Sequence, residues 1–190
     1  MMDIYGGKNP TNILRGRQNR AQGELFEKII MASCDYYRER GIAHIEKTPE
    51  PFHVTKSCGA GCFYGNFAKQ AQPDFKGTLR GGRTIVFEAK HTDADRIKQD
   101  RVSQIQTDEL NTCELFGAVC AVIVSFGMQG IYMVPWDTWR NMPLIFGRKY
   151  ITAKDVAQYK RRFTGALIML FDMEGDHAYG RGKTTECESK

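Results

Sequence analysis

The chain has 190 residues, 42% hydrophobic and 26% charged, with a formal net charge of +5. That length suits one domain with a substantial core, and the composition excludes disordered, collagen-like and membrane-embedded classes. No apolar stretch is long enough to span a bilayer and the N-terminus lacks a signal-peptide core, so a cytoplasmic protein with no membrane contact is expected.

Residues 1–20 are rich in Gly and Asn and carry Lys8, Arg15, Arg17 and Arg20, which reads as a flexible basic arm. From Gln22 to Glu39, the residues Phe26, Ile29, Ile30, Ser33 and Tyr37 recur at helical spacing, and Gly41 stands where a C-terminal cap belongs. Glu27 lies on the border of that apolar stripe. Residues 43–47 read as a short strand, stopped by Pro49 and Pro51.

Residues 52–72 show no clear period. Lys56, Phe63, Tyr64, Phe67, Lys69 and Gln70 interleave aromatic and basic or polar character there, among Gly59, Gly61 and Gly65. A loop of that length inside a compact domain is usually functional or disordered. The six cysteines (34, 58, 62, 113, 120 and 187) read as reduced thiols without a secretory signal. Cys58 and Cys62, with His53 nearby, have a loosely zinc-like spacing, but no matching second pair follows.

The segment 74–90 reads as a hairpin with Arg80-Gly81-Gly82-Arg83 at its tip. Along its second arm, side-chain alternation puts Thr84, Val86, Glu88 and Lys90 on one face and Ile85, Phe87 and Ala89 on the other. A two-residue loop would set Asp74 opposite Ala89, on the wrong face. A three-residue loop, with Gly82 in the left-handed conformation, sets Asp74 opposite Glu88. The second register is expected, because it lets both carboxylates meet one divalent cation.

Residues 94–114 follow as a polar helix with Val102, Ile105 and Cys113 turned inward and Gln104 beside them. Gly117 breaks it. Residues 118–126 are a continuous apolar run, the pattern of a strand covered on both faces. Residues 131–135 form a shorter strand ending in Trp136 and Trp139. Thr152 and Asp155 resemble a capped start for a basic helix reaching Phe163, residues 166–171 read as an edge strand, and residues 174–190 as a loose tail. The resulting class is α/β, a mixed central sheet flanked by helices over residues 21–173. Arg148, Lys149, Lys154, Lys160, Arg161 and Arg162 form a second basic cluster, and two such clusters beside a carboxylate pair favour a polyanion partner.

These pieces resemble the PD-(D/E)xK nuclease superfamily and, within it, the RecU-type Holliday junction resolvases. The resemblance rests on Asn19-Arg20, Phe26-Glu27-Lys28, Tyr36-Tyr37, Gly41-Ile42-Ala43, Lys47 to Pro51, Asp74 to Gly77, Phe87 to Thr92, Ser103-Gln104-Ile105 and Gly117-Ala118 in that order. It implies a restriction-endonuclease-like fold with a protruding stalk at residues 52–72. It implies Asp74, Glu88 and the backbone carbonyl of Ala89 as ligands of Mg²⁺ (Mn²⁺ substituting), and Lys90 as the lysine that orients or activates the attacking water. Glu27 and Gln104 match a supporting glutamate and glutamine. The implied partner is branched DNA held by a homodimer, with Arg15, Arg17 and Arg20 of the arm and Lys56, Phe63, Tyr64, Phe67, Lys69 and Gln70 of the stalk in contact with it. The stalk departs from the family pattern in being short and in carrying cysteines and glycines where basic residues are usual.

Overall fold

In a computed structural model, which describes residues 10–49, 52–67 and 72–171, a single seven-stranded sheet organises the chain. Helix α1 spans Pro10–Glu39. It ends in a left-handed Gly41 (φ 61°), whose N–H donates to the Arg38 carbonyl while Ile42 N–H reaches the Tyr37 carbonyl, so two terminal carbonyls are satisfied. Strand β1 (Ala43–Lys47) follows, then β2 (Phe52–Gly59) and β3 (Cys62–Phe67), then β4 (Phe75–Leu79) and β5 (Thr84–Thr92). A short β6 (Arg96–Lys98) and a 3₁₀ turn (Gln99–Arg101) lead to α2 (Gln104–Leu115). The remainder is β7 (Val119–Phe126), β8 (Gly130–Pro135), α3 (Trp136–Arg140), α4 (Met142–Phe146), β9 (Tyr150–Thr152), β10 (Lys160–Phe163) and β11 (Ile168–Met169).

The sheet order is β1-β4-β5-β7-β8-β10-β11. Strands β5 and β7 pair in parallel at its centre, with antiparallel neighbours outside them. Each face carries its own core. On one, Phe26, Ile30 and Tyr37 of α1 bury against Ile85, Phe87, Ala121 and Ile123. On the other, Val86, Val122 and Val124 meet Leu110, Trp136 and Trp139. The alternation expected of β5 is therefore present, with Glu88 on the second face between the two apolar layers.

Polar groups tie the chain ends together. Ser33 Oγ accepts from Ile168 N–H at 2.8 Å, and Tyr37 Oη accepts from Phe171 N–H at 3.2 Å. The last strands are thereby fixed to α1 across most of the sequence.

Four expectations differ from this architecture. Residues 10–20 are helical rather than a loose arm: Pro10 opens α1 where its missing N–H is harmless, and one interior Gly16 does not stop propagation. The helix expected over 94–114 begins only after Ser103, because residues 96–98 pair with β9 instead. Ile105 is consequently exposed, and Leu110 takes the inward position. The basic helix expected over 152–163 is absent. Asp155 accepts from both Thr152 N–H (2.7 Å) and Thr152 Oγ1 (2.8 Å), which closes a turn, and residues 160–163 form a strand, Lys160 and Arg161 pairing with β8 and Arg162 and Phe163 with β11.

Residues 52–67 are a hairpin of their own, paired with no strand of the main sheet. Its turn residues Ala60 (φ 49°) and Gly61 (φ 76°) are both left-handed, the backbone of a tight two-residue hairpin connection. Residues 54–64 are exposed throughout, including Phe63 and Tyr64. Residues 1–9 and 174–190, together with Lys69 and Gln70, lie outside the described residues.

Candidate active site

The hairpin β4–β5 closes with the three-residue loop. Leu79 N–H donates to the Arg83 carbonyl at 2.8 Å, and Gly82 N–H to the Leu79 carbonyl at 2.9 Å. Gly81 and Gly82 both have positive φ (93° and 91°). The pairing Phe75 with Phe87 and Thr78 with Thr84 carries one step further to Asp74 opposite Glu88. Strand β1 anchors the other side of Asp74, since Thr48 N–H donates to the Asp74 carbonyl at 2.9 Å.

The two acids and Lys90 meet. Glu88 is fully buried, and its Oε2 accepts from Lys90 Nζ at 2.6 Å and from Gln106 Nε2 at 2.7 Å. Asp74 Oδ2 accepts from Ala89 N–H at 2.9 Å, with Lys90 Nζ at 3.5 Å. Asp74 is the more open carboxylate, its side chain 26% exposed. Among the described residues, Glu88 Oε1 is buried with no hydrogen-bond donor. Buried polar atoms are nearly always satisfied, so an orphaned carboxylate oxygen calls for a positively charged or donating group that the described residues do not supply.

Electrostatics agree with that need. Burial pushes the Glu88 carboxyl up to about 8, and the neighbouring Asp74 charge pushes the same way, while Lys90 opposes both. For Lys90, burial alone would favour loss of the proton; the Asp74 and Glu88 carboxylates outweigh it and raise the ammonium above its ordinary value. The donor set is two carboxylates with a lysine between them, which suits a hard cation that prefers oxygen. Among the described residues, no group of three or more His, Cys, Asp or Glu converges on one point. Cys58 and Cys62, exposed on the hairpin, therefore have no third metal ligand among those residues.

The supporting residues divide. Glu27 is held by Lys47 at 2.6 Å. Lys47 pairs with Phe75, next to Asp74, so Glu27 borders the site but is engaged outside the acid pair. Gln104 is exposed and donates to Asp108 at 2.8 Å. The glutamine that reaches Glu88 is Gln106. Its Oε1 accepts from Ser103 N–H at 3.1 Å, and its own N–H donates to Ser103 Oγ at 3.3 Å. This capping box starts α2 and, by occupying the amide oxygen, turns the amide nitrogen toward Glu88. Ser103-x-x-Gln106 was the signal in the sequence; a helix started at residue 94 conceals it.

Of the residues expected to touch DNA, Arg17 and Arg20 are exposed on the first turns of α1, and Arg15 lies in the same turns. Lys56 pairs with Tyr64 across the exposed hairpin, beside Phe63. Phe67 ends β3. In the second basic cluster, Arg148 is neutralised by Asp155 at 2.6 Å.

Comparison with known proteins adds to this geometry. Residues 21–171 match the family described as Recombination protein U. A Holliday junction resolvase RecU of Geobacillus kaustophilus is 29% identical over 168 residues, covering 82% of each chain. Its counterpart in Streptococcus gordonii is 30% identical over 121 residues, 60% of each chain. A solved Holliday junction resolvase, Hjc of Archaeoglobus fulgidus, aligns over 72% of this chain and 88% of its own at a TM-score of 0.42 and 15% identity.

Proposed function

We propose, for a chain that belongs to the Recombination protein U family, a structure-selective endodeoxyribonuclease that resolves four-way DNA junctions by paired nicks. The observation that carries this reading is the convergence of Asp74, Glu88 and Lys90 on β4–β5, with Glu88 Oε1 lacking a donor among the described residues.

Asp74 and Glu88, with the carbonyl of Ala89, would hold Mg²⁺, and Mn²⁺ would substitute for it. Such an ion, when bound, polarises a phosphoryl oxygen and makes a bound water more acidic. The chain's own residues do the rest. Lys90 keeps its proton, because both acids favour the ammonium, and so presents positive charge where negative charge develops on the phosphate. Gln106, fixed by Ser103, holds the Glu88 carboxylate in one orientation. Asp74, the more open acid, faces the substrate side.

A four-way junction needs two nicks related by symmetry, and a homodimer with one site per chain supplies them. The exposed hairpin would enter the branch point, with Phe63 and Tyr64 stacking on bases and Lys56 on phosphate. A panel of labelled four-way junction, flap and linear duplex tests the substrate. Cutting confined mainly to the junction, in symmetric pairs, is the expected result; equal cutting of linear duplex would overturn junction selectivity.

A further inference from the structure

Past Lys90, β5 runs on to His91 and Thr92 and borders a cavity of about 250 Å³. Asn19, His91, Asp93, Arg96, Lys98 and Arg101 stand among its walls. Three are permanent cations and one is an acid, and the acid is already occupied. Asp93 Oδ1 faces His91 Nε2 at 3.2 Å. With its amide nitrogen turned toward Asp93, Gln22 of α1 donates to both carboxylate oxygens, at 2.5 and 3.0 Å.

The cations have no such partners: among the described residues, no carboxylate pairs with Arg96, Lys98 or Arg101. Strand alternation puts Arg96 and Lys98 on one face of β6, with Ile97 buried on the other. The Arg96 guanidinium lies over the Tyr150 ring, 5.2 Å from its centre, which uses its face and leaves its N–H edge for an acceptor. Asn19 adds an amide from α1. A concave wall with three unpaired cations and a neutral donor suits a phosphodiester.

We propose that this cavity seats a non-scissile phosphate of the strand being cut. Thr92 lies two residues beyond Lys90 on the same face, about 7 Å along the strand. That displacement equals about two nucleotides of duplex rise. Its occupant is thus a neighbour of the bond presented to Asp74, Glu88 and Lys90, and its contacts set the register of the strand rather than its sequence. The identity of the strand rests on the nuclease reading; anion binding at the cavity does not.

The test is binding of a labelled four-way junction in EDTA, followed by anisotropy over a salt series. Arg96→Ala/Arg101→Ala should weaken binding about tenfold or more and reduce the slope of log K against log [salt] by about 2. Single neutral methylphosphonates, scanned along the strand, should weaken wild type at one position near the cut and leave the double variant unaffected there. An unchanged slope, or losses that simply add at every position, would overturn the subsite. Because no step here requires cleavage, a wild type that shows these slopes yet never cuts would refute the nuclease reading while supporting the subsite; a chain that binds no DNA would overturn both.

Discussion

Glu88 has one carboxylate oxygen held by Lys90 and Gln106 and the other, among the described residues, without a donor, in a position with no solvent contact. Its carboxyl is raised from 4.5 to about 8, chiefly by burial. A folded-state value above the unfolded one favours the protonated form, so its contribution is full below about 4.5 and is lost as pH rises toward 8. In EDTA, wild type should therefore lose stability over that window, by at most a few kcal/mol. Glu88→Gln, which has no proton to release, should not show this loss. Thermal melts at the two ends of the window check it; parallel curves for both proteins would contradict the burial argument. Gln106→Ala should reduce cleavage about tenfold or more, as loss of a residue that orients a ligand does, while Gln104→Ala stays near wild type. Single-turnover rates on one junction separate the two. Asp74, Glu88 and Lys90 were legible in the sequence because a strand's period of two fixes which side chains share a face. Gln106 was not, because its role depends on where α2 begins.

At the scale of elements, the β4–β5 hairpin could be counted into register because, of the two loop lengths its tip allows, only the longer kept the acids together. Gly77 shows how tightly β4 is held on its other side. A Cβ there would stand 2.0 Å from the His44 carbonyl oxygen and 2.5 Å from the Ile45 Cα, both backbone atoms of β1. Gly77→Ala should force β1 and β4 apart, lower the melting temperature and, by moving Asp74, reduce cleavage more than DNA binding. A variant with wild-type melting would contradict that packing. The helices misread from sequence share a cause: residues 94–103 and 152–163 have helical polarity patterns, but edges of β8 and β9 offered backbone partners that pattern cannot reveal. The hairpin of residues 52–67 escaped a period-based reading because register shifts between Val54 and Lys56 and between Ser57 and Gly59 break its alternation.

At the scale of the molecule, the mixed sheet with helices on both faces followed from the order of elements, and the burial of β7 on both faces from the unbroken apolar run at residues 118–126; its parallel pairing with β5 is visible only in the structure. What sequence order leaves open is how sites are duplicated. Paired nicks require two chains on one junction, so sedimentation of the protein with excess junction should give two chains per DNA; one chain per junction would contradict symmetric resolution. Cleavage is expected to depend on a cation held by Asp74 and Glu88. Single-turnover cutting of a labelled four-way junction, with Mg²⁺ titrated against EDTA, measures this directly in wild type, Asp74→Ala, Glu88→Ala and Lys90→Ala. Cleavage by wild type that saturates with Mg²⁺ and vanishes in EDTA, with all three variants inactive yet still binding the junction, is the predicted result. Cutting by wild type in EDTA, or by any of the three variants at the wild-type rate, would contradict it.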